Sequence, residues 1–410
     1  MPSQPAESPR EPSRWSTRDL IGPTLIFLGG FLVAAALALP TLLVPRLQVL
    51  PLSTDRTMVS TSVGSNQNRA DNSGASATIL DRCSLHTPTA RTLRASLVRQ
   101  QRVVAVQPSD GRVVTLQAGT SMQADHIWLD GRKVDPDSAR PGSEPDQKDA
   151  GSSCTSPTLS AVKDRITVSR TSALPDLGAN SSGMRGNSEI QYDSNTAPVQ
   201  VGGRGGYSYE FPFDISRDQH SFFDPISRRT VALVYRGDTE VNGRSAARFT
   251  AEVPDTDLAA TQSGAAAGVP QTQITRPASW FGVGGDASRE LTATLHQSSS
   301  WELSIDTTTG TLLDQRVSID QAYRIGGDPS LADFSLTNLH ATFAWDSQTR
   351  TAMADDASRL GTPIVVWGTA VPIAAGIVGA AGIIVGILLI APPAVLRRRL
   401  ASRGAPNSYK

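Results

Sequence analysis

Two long runs without charged side chains constrain the fold of this chain most strongly. The first extends from Ile21 to Pro45, and the second lies between Arg359 and Arg397. Each contains the ~20 residues that a helix needs to cross a hydrocarbon core of ~30 Å. Neither shows the polar face of a soluble surface helix. We therefore predict transmembrane helices over residues 21–45 and 362–395, with a buried core helix as the alternative for each.

The cations beside these runs predict their orientation. Arg397, Arg398 and Arg399 follow the second run without any acidic residue, and arginines also precede the first run. Because Lys and Arg mark the cytoplasmic side of a span, both termini are predicted to lie inside. The chain is then a two-span membrane protein of the cytoplasmic membrane or cell envelope, with an N-terminal segment (1–20), an extracytoplasmic domain (46–361) and a basic cytoplasmic tail (396–410).

The first run also resembles a signal peptide. Ala36-Leu37-Ala38 fits a small-x-small cleavage site that follows a basic segment. The apolar stretch nevertheless continues to Val44, which is longer than the apolar region of a typical signal peptide. A retained membrane anchor is favoured over a cleaved signal.

Small residues recur along one stripe of each predicted span. Such stripes let helix backbones approach closely inside a bilayer, where the hydrophobic effect does not drive helices together. They predict packing either between the two spans or between subunits of a homo-oligomer. The residues concerned are Gly30, Ala34 and Ala38 in the first span and Ala375, Gly379, Gly382 and Gly386 in the second.

The exported region is predicted to be mainly β. It contains three pairs of β-branched runs joined by turn sequences, and the pair around Asn242-Gly243 carries the strongest short hairpin signal. Successive hairpins indicate an antiparallel sheet with short strands, either a curved sheet or a partial barrel. The three predicted hairpins cover 101–118, 230–253 and 301–320, and a helical stalk is predicted over 347–360.

Four stretches of the exported region lack periodic apolar residues. They are rich in Ser, Gly, Asn, Asp and Pro, a composition typical of flexible loops. We expect them to be excursions without a core of their own, over 64–76, 135–158, 178–206 and 255–288.

Cys83 and Cys154 are the only cysteines of the chain, and both lie in the exported region. An even pair in an oxidising compartment predicts one disulfide, with two unpaired thiols as the alternative. Two cysteines are too few for a four-cysteine zinc site.

No motif in the sequence predicts catalysis. The five histidines show no metal-binding spacing, and the motifs of nucleotide-binding loops and nucleophile elbows are missing. Equal numbers of basic and acidic side chains, 38 of each, exclude nucleic-acid binding as the main role. We predict a non-enzymatic protein without a cofactor, a metal or a nucleic-acid partner.

Several segments together resemble one known family, the actinobacterial PorA-type porins, formerly a domain of unknown function. The resemblance implies two membrane spans that flank an extracytoplasmic β-rich domain, in the cell envelope of mycolic-acid bacteria, with channel formation as the function. The segments are Pro51–Thr57, Tyr209–Ile215, Ser221–Pro225, Tyr235–Gly243 with Phe249, and Trp301–Asp314.

The origin of a pore remains open at this point. Porins cross a membrane as closed barrels of strands, whereas the lipid-compatible segments here are helices. A pore would come from oligomerised helix pairs or from the exported domain opening into a barrel. Two further hypotheses are an envelope-assembly factor and a domain that binds lipid or glycolipid in an apolar cavity on the order of several hundred Å³.

Overall fold

A computed structural model of the protein describes residues 17–64, 75–129, 131–136, 156–178, 185–193, 196–262 and 270–390. The chain divides into a helical unit, formed by Met1–Gln48 with Gly361–Lys410, and a β unit, formed by Val49–Leu360. The helices are α1 (Thr17–Ala38), α2 (Val44–Leu47), α3 (Leu258–Thr261), α4 (Ala278–Phe281), α5 (Ser347–Val365) and α6 (Val371–Ile390).

Two helical segments are long and apolar enough to cross a membrane, Leu20–Leu47 and Ser347–Ile390. Each contains one π-helical turn, at Leu39–Leu43 and at Val366–Ala370. Pro40 lies in the first turn, and Pro372 lies two residues after the end of the second. Because proline has no N–H to donate along the helix, a local widening lets the apolar helix continue past it.

The helical unit is held together by close contact between α1 and α6. A Cβ atom added to Gly29 would lie 2.5 Å from the carbonyl oxygen of Gly379, and one added to Gly386 would lie 2.8 Å from that of Gly22. Residue numbers rise along one helix as they fall along the other, so the two helices are antiparallel. Glycines seven residues apart stay on one face of a helix, which explains why both contacts fall along one seam.

The β unit is one antiparallel sheet of 15 strands within the described residues. The strands follow the order β8-β7-β6-β4-β3-β1-β15-β14-β13-β11-β10-β9, and β2, β5 and β12 pair beside this path. They are β1 (Asp55–Val63), β2 (Ala77–Leu80), β3 (Thr92–Val106), β4 (Val113–Leu129), β5 (Arg132–Val134), β6 (Thr158–Ser169), β7 (Ser188–Gln191), β8 (Val199–Gln200), β9 (His220–Asp224), β10 (Arg229–Val241), β11 (Arg244–Asp257), β12 (Gln273–Pro277), β13 (Glu290–Asp306), β14 (Leu312–Ile325) and β15 (Leu336–Trp345).

The sheet curls until its two ends meet. Phe223 of β9 packs against Ile190 of β7 and Val201 beside β8. Tyr207, which follows β8, forms a bridge with Phe222 of β9. The inner faces of the strands surround a common core. The mainly β, antiparallel architecture between two apolar helices is confirmed, and its form is that of a curled sheet.

The predicted hairpins are present, but the expectation of short strands is wrong. β3 has 15 residues, and β4 and β13 have 17 each. Inward positions of these strands include polar residues such as Gln101, Gln297 and Ser299. Strand length is predicted from alternating apolar residues, and these inward polar residues interrupt that alternation. Asn242 and Gly243 both have positive φ, 48° and 76°, as their two-residue turn requires.

Two of the four predicted excursions contain ordered elements. The stretch 255–288 contributes α3, β12 and α4, and Trp280 is buried with its ring 4.9 Å from that of Phe281. Its indole N–H donates to the carbonyl oxygen of Ser84. Two adjacent aromatic residues thus provide a core that the polar composition concealed. The stretch 178–206 contains β7 and β8, whereas most of 64–76 and 135–158 lies outside the described residues.

Candidate functional site

The helical unit exposes apolar side chains on the surfaces that do not face the partner helix. Phe27 is 74% exposed and Ile377 is 66% exposed. Such continuous apolar exposure is typical of a surface that contacts lipid or another copy of the chain. Between Leu20 and Val44, and along α6, no side chain is ionisable. The pair presents an apolar surface and packs backbone to backbone along its seam.

The structure places the predicted small-residue stripes differently in the two helices. Gly379, Gly382 and Gly386 of α6 face α1. In α1, Gly22 and Gly29 make the close approach, while Gly30 and Ala34 are exposed. The stripes predicted from the sequence do not include this glycine pair. Its seven-residue spacing, which matches that of Gly379 and Gly386, is the signal that could have found it.

The remaining members of the stripes, Ala38 and Ala375, are partly buried. Packing of Gly30 and Ala34 against a second subunit stays a prediction. Arg397, Arg398 and Arg399 lie outside the described residues, so their role in orientation also stays a prediction. Cys83 lies in a short 3-10 helix and is disulfide-bonded. Cys154 lies outside the described residues, and its pairing with Cys83 remains predicted.

The β unit encloses a cavity of about 100 Å³ between the inner faces of the curled sheet. Lipid binding would need an apolar cavity on the order of several hundred Å³. The cavity in the structure is smaller than that. The walls are mixed because inward positions of β3, β6, β13 and β14 alternate between apolar and polar residues. Polar residues of the lining include Arg99, Gln101, Thr120, Asp164, Gln297 and Gln315.

Arg99 is the cationic side chain of this lining. It projects inward from β3, is 6% exposed, and its guanidinium carbon lies 5.7 Å from the ring centre of Trp301. Burial lowers the pKa of Arg99 to about 10, so the group remains charged at neutral pH. In the described part of the chain, no carboxylate or carbonyl oxygen accepts a hydrogen bond from it. Arg99 is not among the candidate residues predicted from the sequence.

The acidic residues of the cavity have partners of their own. Asp164 accepts hydrogen bonds from Arg204 at 2.6 and 2.7 Å and from the Tyr209 hydroxyl at 2.6 Å. Burial raises the pKa of Tyr209 well above its usual range, so this hydroxyl stays protonated and donates. Asp224 accepts from the backbone N–H and the hydroxyl of Ser227. Among the described residues, no cluster of His, Cys, Asp or Glu could hold a metal ion.

Comparison with known proteins places this architecture in a family. The family model described as Porin PorA matches residues 21–388, which include the whole sheet and nearly all of both apolar helices. The chain belongs to the PorA porin family. A porin PorA of Corynebacterium amycolatum is 23% identical over 408 residues, covering 89% of this chain and 97% of the relative. A porin PorA of Corynebacterium resistens is 22% identical over 449 residues, covering 95% and 99%. The resemblance found in the sequence is confirmed, and this PorA-family chain is a membrane protein of the porin type.

Proposed function

We propose that this PorA-family chain forms a channel as a homo-oligomer of helix pairs. The observation that carries the proposal is the glycine-packed pair of α1 and α6, whose outer surface is apolar. Because the backbones touch along the seam, one pair provides no path between its helices. An opening therefore requires several pairs arranged around an axis. The relatives named porin PorA support channel formation as the function.

The β unit is not the pore in this proposal. Its interior is filled by a continuous core, and the cavity at its centre is only about 100 Å³. Its outer face carries exposed ion pairs such as Arg102 with Asp55 and Arg248 with Glu302. Charged side chains on the outside of a barrel are unfavourable in contact with lipid. The strands therefore suit an aqueous compartment rather than a bilayer.

Both termini of the chain lie on the cytoplasmic side in this proposal, with the β unit outside the cytoplasm. The antiparallel helix pair supports a common side for the two ends, since Gly22 contacts the end of α6 near Gly386 and Ile390. Arg397, Arg398 and Arg399 support the cytoplasmic side. The lipid bilayer is the partner of the exposed apolar surface, and conduction requires no catalytic group.

Conductance in a planar lipid bilayer tests the proposal. The purified full chain should give stepwise current increments, and boiled protein and detergent alone are the controls. We expect weak selectivity from the spans themselves, because no ionisable side chain lies along them. Absence of steps from folded, membrane-inserted protein, under conditions where a known porin conducts, would refute channel formation.

A further inference from the structure

Within the described residues Arg99 makes no hydrogen bond, whereas several other polar groups of its cavity hydrogen-bond one another, and Asp224 Oδ1 and Gln315 Nε2 are the further lining atoms without a partner. Gln101 donates to the hydroxyl of Thr120, Gln321 donates to Gln297, and the Trp301 indole donates to Ser299. A guanidinium carries five N–H donors, and a ring stacked at one face satisfies none of them in the plane of the group. Because buried polar groups are generally hydrogen-bonded, these donors suit an acceptor that enters the cavity.

The charges around Arg99 limit the kind of acceptor. Asp164 is matched by Arg204, and the carboxylate of Asp224 is held by Ser227. Arg99 therefore offers its hydrogen-bond donors and one positive charge, with the carboxyl group of Asp224 close enough to interact with that charge. A ligand with one negative charge is repelled less by Asp224 than a dianionic phosphate would be.

The size of the cavity limits the ligand further. Its volume of about 100 Å³ is several times the roughly 10–15 Å³ that a single water needs, and it is well below the roughly 300–1,000 Å³ of a typical ligand pocket. Apolar side chains such as Met122, Phe222 and Leu303 line the rest of the wall. A small ligand with one short alkyl chain and one charged end fits this lining, and a two-chain lipid does not.

We infer that the cavity of the β unit binds a short-chain monocarboxylate, with the carboxylate on Arg99 and the alkyl chain against the apolar wall beside Trp301. The planar fork of arginine pairs with both oxygens of a carboxylate. This inference is independent of channel formation, because it concerns residues of the β unit only.

Equilibrium dialysis of radiolabelled octanoate against the full chain in lipid nanodiscs tests the inference, with empty nanodiscs as the background. Saturable binding of one octanoate per chain is expected. Unlabelled octanoate should compete, whereas octan-1-ol and octyltrimethylammonium, which have similar chains without the negative charge, should not. Octyl phosphate should compete more weakly than octanoate.

Variants on the same strand locate the site. Arg99→Met should weaken octanoate binding by at least about tenfold, because the ligand loses its charged partner. Arg102→Met, which removes an exposed arginine three residues along, should bind as the wild type does. Arg99→Lys keeps the positive charge without the planar guanidinium, so its affinity for octanoate should lie between those of Arg99→Met and the wild type. If Arg99→Met does not fold, Arg99→Lys and the competition series decide. No saturable binding, equal competition by octan-1-ol, or unchanged binding by Arg99→Met would overturn the inference.

Discussion

Arg56 shows how single buried charges organise the β unit. Its guanidinium lies 2.6 Å from Glu210 and 2.6 Å from Asp356, so it joins strand β1 to two segments distant in sequence. Only 8% of the Arg56 side chain is exposed. Glu210 is 5% exposed and has Arg56 as its cation, whereas Asp356 also pairs with Arg359.

Replacing Arg56 with Met should therefore strongly destabilise the β unit. The substitution leaves Glu210 buried without its cation, which typically costs about 3 to 5 kcal/mol of unfolding free energy. Denaturant unfolding followed by tryptophan fluorescence measures the loss. Arg102→Met is the matched control, because its ion pair with Asp55 is exposed and should contribute little. Equal losses in the two variants would contradict the assigned role of burial.

Asp224 makes stability depend on pH with a defined sign. Burial raises its pKa above the ordinary value of 3.8. Its contribution to stability is therefore full below about pH 3.8 and is lost as pH rises through the raised value. The stability of the wild type relative to Asp224→Asn should fall as the pH rises above 4, as thermal unfolding at several pH values would show.

Asp238 provides the opposite case. Its hydrogen bond from Arg217 holds the pKa of Asp238 below 3.8, so its contribution is lost as pH falls. Asp238→Asn should therefore show the reverse trend relative to the wild type. The same trend in both variants would contradict the burial argument for Asp224.

At the scale of elements, the sequence predicts the turns and helices that depend on neighbouring residues alone. The Asn242-Gly243 turn fixes the hairpin of β10 and β11, and uninterrupted apolar composition predicts both long helices. Strand lengths could not be predicted, because inward polar residues such as Gln297 resemble strand ends. Arg99 gave no signal either. It stands among several arginines of β3, and only the register that buries Leu97 and Val103 turns it inward.

The helix pair makes a precise prediction for crosslinking. A Cβ atom on Gly376 would lie 3.9 Å from the Cβ of Ala36, within the range of a disulfide. The double variant Ala36→Cys with Gly376→Cys should form an intramolecular disulfide on oxidation, detected by mass spectrometry of the digested protein. Ala34→Cys with Gly376→Cys is the control, because Ala34 is exposed on the helix. Equal disulfide yields from both cysteine pairs would contradict the packing of Ala36 against Gly376.

For the whole molecule, we propose that the β unit and the termini lie on opposite sides of the membrane. Alkaline phosphatase, which is active only outside the cytoplasm, should be active when fused after Gly203 and inactive when fused after Lys410. The positive charges of the tail favour the proposed orientation. Phosphatase activity of only the fusion after Lys410 would show that the topology is the reverse of the proposed one.

The number of subunits in a conducting unit tests the central claim most directly. Copies of the full chain carrying one fluorophore each can be counted by stepwise photobleaching in a bilayer while the current is recorded. We expect current only at spots that bleach in several steps, because the backbones of one helix pair touch along their seam. A spot that conducts and bleaches in a single step would contradict a pore formed between several helix pairs.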